Sequence, residues 1–301
     1  MYIDGVFSGG GIRGIALIGA IEEIEKRGYQ FARVAGSSAG AIIAAFLAAG
    51  YKSKEIFELV DEMDLKNLLD ERKSFLPFSL TKWVGLYWTL GLYKGDALEV
   101  WLENVLAKKG LQTFSDLPQQ KLRFIASDIT NGRLLVIPDD LEKYGLDPKH
   151  FPIARAIRMS CSIPYFFEPV RLKVDRETSI IVDGGVLSNF PIWLFEDEHN
   201  QRERPIIGIK LSPKMDDVPK NKIENAIQLF KALFETMKDA HDARHISSKQ
   251  EKDIIFIPSD GVFATEFDLN DEMKQRLVQQ GRECAIRFFN NWRYDRKFKV
   301  I

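Results

Sequence analysis

Apolar residues along the first fifty positions follow two alternating patterns. The stretches YIDGVFS and FARVAGS are short and rich in residues that favour buried strands. Each precedes a longer segment with helical spacing, and in the first of these Leu17, Ile21 and Ile24 recur on one face. This alternation of short and long segments predicts a parallel α/β sheet.

The rest of the chain continues in strands and helices. The segments KLRFIASDIT and RLLVIP, joined through an Asn-Gly pair, are typical of a β-hairpin. Further strands are predicted at SIIVDGG, PIIGIKLS and DIIFIPS. A helix is predicted to open on Pro191, and long helices over residues 221–247 and 269–292. Residues 53–110 are predicted to form a helical and irregular insertion between sheet strands.

The glycine-rich stretch GGGIRG lies between the first strand and the first helix. Gly9, Gly11 and Gly14 match the G-x-G-x-x-G spacing of dinucleotide-binding sites. That class of site also needs an acidic residue roughly 20 positions later to bind the ribose. Because no Asp or Glu occurs between Glu25 and Glu55, the sequence disfavours a dinucleotide site.

The second strand ends in GSSAG, which has the G-x-S-x-G spacing of a nucleophile elbow between a strand and a helix. Ser38 is the central serine, and Gly36 and Gly40 are the small neighbours that let the strand and helix approach. At a helix N-terminus, the helix dipole favours a developing negative charge. Ser38 is therefore the candidate nucleophile.

A serine nucleophile gives the opening glycines a different role. In acyl transfer the carbonyl oxygen becomes negative only in the tetrahedral state, where backbone N–H groups stabilise it. Gly10 and Gly11 can present such groups without an intervening side chain, whereas Arg13 either adds charge or braces the loop. The alternative is a tight turn that only lets helix and sheet pack. The candidate oxyanion hole comprises Gly9, Gly10, Gly11, Ile12, Arg13 and Gly14.

The nucleophile needs a base, and histidine is the usual one. His150 and His199 lie in polar segments, while His241 and His245 are four residues apart. That spacing fits a metal pair, but no third ligand accompanies it, which favours a solvated helix face. A late histidine follows the Ser-Asp-His order of ordinary α/β hydrolases, so His241 stays open as a base.

Asp183 is the competing base. It ends the apolar stretch SIIV, so its carboxylate is expected at the carboxyl edge of the sheet, where open α/β proteins bind ligands. Gly184 and Gly185 are expected to leave open space beside it. The alternative is an aspartate that only caps a turn. Asp128 is a weaker rival on the same logic and is interpreted as a hairpin residue.

Together these residues resemble the patatin-like phospholipases. The resemblance comprises GGGIRG, GSSAG and DGG, in the family's order, and the stretches ASDITNGR and RAIRMSCSIPYFFEPV. It implies an α/β fold: a three-layer α/β/α sandwich with a mainly parallel central sheet. We expect one domain over residues 1–301, in which residues 2–191 carry the motifs and residues 192–301 complete the sandwich.

The same resemblance implies a chemistry. Ser38 would be the nucleophile and Asp183 the base of a dyad without histidine, with the oxyanion hole at Gly10, Gly11 and the neighbouring backbone. The implied reaction is hydrolysis of lipid carboxylic esters through an acyl-enzyme. No cofactor or metal is expected, in agreement with the lack of a D-x-D-x-D-G calcium loop in the sequence.

Composition and charge limit the classes of partner that the protein is expected to bind. Lys and Arg total 42 against 43 Asp and Glu in 301 residues, which gives no basic field of the kind that binds nucleic acid. We therefore expect a lipid or phospholipid substrate and no nucleic acid. Two cysteines, without a CxxC pair, suit a reducing compartment. Arg155 and Arg158 are interpreted as solvated helix charges in preference to phosphate ligands.

The location of the protein is predicted from its N-terminus and one aromatic segment. A strand pattern with Asp4 occupies the place of an apolar signal core, which predicts a cytoplasmic protein. Residues 75–93 have nearly the length of a membrane span but are interrupted by proline, lysine and glycine. They are interpreted either as a peripheral membrane contact or as a buried insertion.

Three classes of function are therefore compared. The favoured class is a lipid acyl hydrolase that uses Ser38 and Asp183. The second is an ordinary α/β-hydrolase esterase with a histidine base, and the third is a non-enzymatic module that binds a nucleotide or a lipid. Substitution of His241 separates the first two, because only a histidine-dependent esterase needs that side chain.

Overall fold

A computed structural model describes the chain over residues 1–63, 68–70, 86–174, 177–196, 202–212, 223, 228–229, 232–234, 236–237, 246, 248–258 and 269–292. Its strands are β1 (Tyr2–Phe7), β2 (Gln30–Ser37), β3 (Gly91–Tyr93), β4 (Leu122–Asp128), β5 (Arg133–Ile137), β6 (Tyr165–Phe167), β7 (Val170–Val174), β8 (Glu177–Asp183), β9 (Ile206–Ser212) and β10 (Ile254–Pro258). Its helices are α1 (Ile15–Lys26), α2 (Ala39–Ala48), α3 (Ser53–Asp61), α4 (Asp96–Ala107), α5 (Ile153–Ser160), α6 (Ser248–Glu251) and α7 (Asp271–Asn291).

Eight of these strands form one mixed sheet in the order β10-β9-β1-β2-β4-β8-β7, with β5 paired to β4 outside this path. The five strands from β10 to β4 are parallel to their neighbours. The other three, β5, β7 and β8, are joined by antiparallel pairings. β3 and β6 form a separate two-stranded sheet. The predicted α/β fold and the β4–β5 hairpin are confirmed, whereas the antiparallel pairings of β8 with β4 and β7 were not predicted.

Side chains of the central strands alternate between two hydrophobic layers, as the two-residue period of a strand requires. In β1, Ile3 and Phe7 belong to the larger layer, which includes side chains of α1, α2 and α7. Val6 belongs to the opposite layer, together with Ile206 and the turn Ile192–Phe195. Helices therefore lie on both sides of the sheet. Within the described part of the chain, no helix combines the length and apolar character needed to cross a bilayer.

Most predicted elements that fall on described residues are confirmed, with two differences. The helix expected at Pro191 is only the single 3₁₀ turn Ile192–Phe195, which ends at Glu196 in an extended conformation and buries Ile192 and Phe195. The insertion at residues 53–110 contains the strand β3 as well as helices. Most of the helix predicted over residues 221–247 lies outside the described residues, although its described members from 228 to 237 are helical.

Helices α1 and α7 cross at two glycines. A Cβ added at Gly19 would stand 1.8 Å from the carbonyl oxygen of Val278, and one added at Gly281 would stand 1.9 Å from that of Ala16. Such contacts are possible only between backbones, so any larger residue must push the helices apart. The crossing attaches α7 to the helix that follows the glycine loop.

We expect Gly281→Ala to lower the free energy of unfolding by about 1–3 kcal/mol, as overpacking of a close contact usually does. Chemical denaturation measures the loss. The matched control is Gln275→Ala on the exposed side of the same helix, which should change stability little. Equal stability of the Gly281 and Gln275 variants would contradict the close crossing.

Candidate active site

Three strands bring the candidate nucleophile and base together. Parallel β2 runs along β4 until Ser37 pairs with Ile125, and antiparallel β8 runs along β4 from the other direction until Asp183 pairs with Ala126. Because β5 occupies one edge of this part of β4, β2 and β8 share the remaining edge. The C-terminal ends of β2 and β8 therefore meet on the same edge of β4. Ser38 immediately follows the end of β2.

This arrangement corrects the reason given for the position of Asp183. Asp183 is expected at the carboxyl edge of the sheet because it ends an apolar strand, but that strand, β8, is antiparallel to β4. Asp183 reaches the carboxyl end of β2 because β8 stops there. It is buried, with 2% of its surface exposed.

Ser38 has the backbone geometry of a strained turn. Its φ is 53° and its ψ is −126°, a conformation that residues with a side chain rarely adopt, and α2 begins at the next residue. A Cβ added at Gly36 would stand 2.3 Å from the carbonyl carbon of Gly40, and one added at Gly40 would stand 2.2 Å from the carbonyl oxygen of Phe7. Both glycines of the predicted elbow are thus required for close backbone contact.

The glycine loop supplies two amide groups that are available to a ligand. The N–H of Gly9 donates to the carbonyl of Asn189 at 3.2 Å and is therefore not available to an oxyanion. Within the described part of the chain, the N–H groups of Gly10 and Gly11 have no protein acceptor. Gly11 has a φ of +58°, a left-handed conformation that favours glycine. Arg13 donates from Nε to the carbonyl of Gly10 at 3.3 Å and so braces the loop.

The loop lies directly against the serine turn. A Cβ added at Gly9 would stand 2.9 Å from Cβ of Ser38, and one added at Gly14 would stand 2.9 Å from Cβ of Ala39. The 3₁₀ turn Gly11–Gly14, which continues into α1, and helix α2 therefore both begin beside Ser38. Two helix N-termini at one point provide a positive potential for an anion.

An apolar cavity of about 120 Å³ opens onto Ser38. Its walls are formed by side chains from α1, α2, α3, α4, β6 and the neighbouring turns. Among the described residues that line it, only Ser38 and Cys161 carry a hydroxyl or thiol, and none carries a charge. The cavity suits a hydrocarbon chain. Its apolar lining includes Ile12, Ile15, Ile42, Leu98, Trp101 and Phe167.

The glycines after Asp183 allow close contact and do not leave open space, contrary to the expectation from the sequence. A Cβ added at Gly184 would stand 2.3 Å from the carbonyl oxygen of Ile125 and 2.5 Å from Oγ of Ser37. The N–H of Gly185 donates to Oδ1 of Asp183 at 2.7 Å. One carboxylate oxygen thus caps the following 3₁₀ turn, as the alternative interpretation of Asp183 proposed.

Cys161 is a buried thiol in the wall of the cavity. Burial raises the pKa of its thiol well above the usual value, the nearby charge of Asp183 raises it further, and Arg158 opposes the shift. The thiol is therefore neutral near pH 7 and is no nucleophile. Cys161 lines the cavity beside Ser38. The next residue, Ser162, accepts the N–H of Asp183 with its carbonyl, so the backbone of Asp183 lies close to this wall of the cavity.

Two of the other candidates do not lie at this site. His150 is exposed and hydrogen-bonds the carboxylate of Asp147 at 2.6 Å. The other three histidines, at positions 199, 241 and 245, lie outside the described residues. Asp128 accepts hydrogen bonds from Asn131 and from the hydroxyl of Tyr144, which confirms it as a hairpin residue.

Hydrogen bonds to Asp128 explain its shifted pKa. Burial opposes ionisation, but the hydrogen bonds from Tyr144 and Asn131 outweigh it and lower the pKa of Asp128. Burial and the same carboxylate raise the pKa of Tyr144 to about 12. These groups stabilise the turn between β4 and β5.

The interpretation of Arg158 as a solvated charge is wrong. Its guanidinium is buried, and it donates to the carbonyls of Gly95 at 3.0 Å and Glu168 at 2.7 Å. The sequence offered no signal for this, because its acceptors come from distant segments. Arg155 remains partly exposed and pairs with Glu99.

Sequence reasoning also missed the residues that contact the serine and aspartate from α5 and the turn after β8. Ser160 accepts a hydrogen bond from the N–H of Ser38, and the carbonyl of Ser162 accepts one from the N–H of Asp183. A Cβ added at Gly185 would stand 3.3 Å from Oδ1 of Asn189. The stretch MSCS belongs to a segment quoted for the family resemblance, which was the only available signal.

A mixed α/β sheet with a serine on a strained strand-to-helix turn, beside a glycine loop and an apolar cavity, defines the class of α/β proteins with a nucleophile elbow. Within that class, the chain belongs to the patatin-like phospholipase family, whose family model matches residues 5–195.

Three similar proteins match between 66% and 98% of the chain. The chain is 58% identical over 294 residues to the uncharacterized protein YqhO of Bacillus subtilis (strain 168), which covers 98% of this chain and 100% of that protein. It is 28% identical over 214 residues to a protein named probable lipid hydrolase 463L, of Invertebrate iridescent virus 6, which covers 66% of this chain and 65% of that protein. The crystal structure of VipD from Legionella pneumophila superimposes with a TM-score of 0.59 at 20% identity, over 96% of this chain and 67% of that one. This last similarity shows the fold.

Proposed function

We propose that the protein hydrolyses carboxylic esters of lipids, with Ser38 as the nucleophile and Asp183 as the base. The main observation in its favour is that the C-terminal ends of β2 and β8, next to Ser38 and at Asp183, meet on β4, and that Ser38 lines an apolar cavity. Membership of the patatin-like phospholipase family and similarity to a protein named as a probable lipid hydrolase support it.

In the first half of the proposed reaction, Asp183 accepts the hydroxyl proton while Oγ of Ser38 attacks the ester carbonyl carbon. The carbonyl oxygen becomes an oxyanion, to which Gly10 and Gly11 donate their N–H groups. The carbon–oxygen bond of the ester then breaks, and the leaving alcohol takes the proton from Asp183. The acyl group remains on Ser38.

In the second half, water attacks the acyl-enzyme and gives a proton to Asp183. The second tetrahedral intermediate uses the same amide donors and collapses to release the fatty acid, while Oγ of Ser38 recovers its proton. The positive potential of two helix N-termini favours both intermediates. This sequence of steps needs no cofactor.

The proposed acyl site is the cavity beside Ser38. Ile42 lines it from α2 and is partly exposed, so a larger side chain can be placed there with little strain. We expect Ile42→Trp to lower kcat/KM for p-nitrophenyl palmitate about tenfold or more, and to leave the butyrate ester nearly unchanged. Ile42→Leu, which conserves volume, is the control. An equal loss on both esters would contradict an acyl chain in this cavity.

We also propose that the chain contacts membranes peripherally through the aromatic segment at residues 75–93, of which residues 86–93 are described. Tyr87 and Trp88 are 76% and 74% exposed. They precede β3, which pairs with β6, and Phe167 of β6 lines the cavity. Amphipathic rings are favoured at the lipid headgroup level.

Trp88→Ala is therefore expected to weaken binding to phospholipid vesicles about tenfold, because the variant loses an aromatic side chain that the membrane would bury. Vesicle cosedimentation measures the change. Tyr2→Ala is the matched control, because Tyr2 is also exposed but starts β1 at the opposite end from the glycine loop. Unchanged binding by Trp88→Ala would remove the membrane proposal and leave the hydrolase proposal intact.

A nucleotide-binding module is less well supported. Gly11 and Gly14 of the G-x-G-x-x-G motif line a cavity whose described walls are apolar and uncharged, which suits neither phosphates nor a ribose. The direct test of the proposed function is product analysis by mass spectrometry after incubation with a mixed phospholipid extract. Release of free fatty acid by the native protein and none by Ser38→Ala supports the proposal. No release by either protein would contradict it.

A further inference from the structure

The turn that ends α5 contacts the backbone of both proposed catalytic residues. Oγ of Ser160 accepts the N–H of Ser38 at 3.0 Å, and the carbonyl of Ser162 accepts the N–H of Asp183 at 2.8 Å. We propose that Ser160 is a positioning residue, whose hydroxyl holds the backbone of Ser38 in the strained conformation that aims Oγ at the ester. This inference rests on the proposed hydrolase function.

The hydroxyl of Ser160 has a fixed orientation. It donates its own proton to the carbonyl of Ile125 at 2.6 Å, and its lone pairs are therefore left to accept the N–H of Ser38. Ser160 is fully buried, so water does not compete for either bond. Ile125 pairs with Ser37 across β2 and β4. The hydroxyl thus ties the nucleophile to the strand along which β8 approaches.

A positive φ at a serine is unfavourable and persists only where the surrounding structure enforces it. Ser38 has a φ of 53°, and the bond from its N–H to Ser160 is a side-chain contact that acts directly on that backbone unit. Loss of the acceptor would leave a buried N–H unpaired and let the turn relax. A displacement of the nucleophile by about 1 Å typically costs roughly 10²-fold in rate.

The same bond removes one backbone N–H from those that can donate to the oxyanion. Because the N–H of Ser38 is donated to Ser160, it is not available to the developing negative charge. The N–H of Gly9 is likewise donated to Asn189. Gly10 and Gly11 keep the donor role assigned in the proposed mechanism, because neither N–H has an acceptor among the described residues.

Arg158 forms hydrogen bonds with the turn that ends α5. Its guanidinium donates to Oγ of Ser162 at 2.6 Å, and that hydroxyl donates back to the carbonyl of Arg158 at 2.8 Å. The guanidinium also donates to the carbonyls of Gly95 and Glu168, in the segments next to β3 and β6. The turn that follows Ser160 is therefore held by buried hydrogen bonds, and the hydroxyl of Ser160 is the part that reaches Ser38.

The test compares Ser160→Ala with Ser127→Ala. Ser127 is an equally buried serine of β4, and its hydroxyl has no hydrogen-bond partner among the described residues. The rate constant for labelling by a short-chain fluorophosphonate is measured on the fraction of protein that can be labelled, together with kcat and KM for p-nitrophenyl butyrate. Ser160→Cys is measured alongside, because sulfur is a weaker acceptor.

We expect Ser160→Ala to lower the labelling rate constant and kcat about 10- to 100-fold with KM unchanged, as for a misplaced nucleophile. Ser160→Cys should be intermediate, and Ser127→Ala should match the native protein. A merely structural role would reduce the labelled fraction and leave its rate constant unchanged, which would overturn the inference. Native rates in Ser160→Ala or Ser160→Cys would overturn it too. Absence of labelling in the native protein would instead overturn the proposed function, and the inference with it.

Discussion

Ser38→Ala is expected to lower kcat/KM for p-nitrophenyl butyrate by at least about 10⁴-fold, because no other group can form the acyl-enzyme. The substitution removes one oxygen atom from a residue that is 6% exposed, so the fold should persist. Initial rates with purified protein measure the loss, and circular dichroism checks the fold.

Ser37→Ala is the matched control for this variant. Ser37 is adjacent and buried, and its hydroxyl has no hydrogen-bond partner within the described residues. The control should retain activity within a few-fold. If Ser38→Ala kept native turnover, or if Ser37→Ala lost as much, Ser38 would not be the nucleophile.

Asp183→Asn is expected to give the second largest effect, a fall in kcat of about 10²- to 10⁴-fold. An amide has nearly the shape of a carboxylate and can still accept the N–H of Gly185, so the turn after β8 should remain capped. It cannot accept the serine proton at neutral pH. The loss should therefore appear in kcat, with KM and the thermal unfolding midpoint changed little.

Two controls separate this role from its alternatives. Asp128→Asn makes the same substitution at a buried hairpin residue, and it should lower stability but not the kcat of the folded fraction. His241→Ala tests the histidine-dependent esterase and should leave turnover near native. A large loss in His241→Ala together with native kcat in Asp183→Asn would replace the dyad by a histidine base.

Much of the site could be predicted from local sequence. The elbow at Ser38 is indicated by two glycines within two positions, Gly36 and Gly40, although the contact that Gly40 permits is with Phe7 of β1. The glycine loop is likewise a short motif between a strand and a helix. Such features depend on residues adjacent in sequence, and a single sequence displays them directly.

The relation between distant segments could not be predicted in the same way. The stretch SIIVDGG predicts a strand that ends at Asp183, but nothing in its apolar pattern specifies that β8 is antiparallel to β4. Strand direction follows from the connections on either side, which include β5, β6 and β7. The correct neighbourhood was therefore assigned to Asp183 with the wrong geometry.

Buried polar partners were the hardest to predict. Arg158 was expected in solvent, because arginine is usually exposed, yet three carbonyls and the hydroxyl of Ser162 surround it. Ser160 acts across 122 positions of sequence separation from Ser38. The cavity is similarly composed of residues from many elements, each of which is an ordinary core residue when considered alone.

Covalent trapping identifies the nucleophile directly. The native protein is treated with a fluorophosphonate, digested with trypsin and analysed by fragmentation mass spectrometry. The peptide between Arg33 and Lys52 contains both Ser37 and Ser38, so fragmentation must separate the two. We expect one adduct, on Ser38, which persists in Ser37→Ala and is absent from Ser38→Ala. An adduct on another residue, or no adduct on folded protein, would contradict the role of Ser38 as nucleophile.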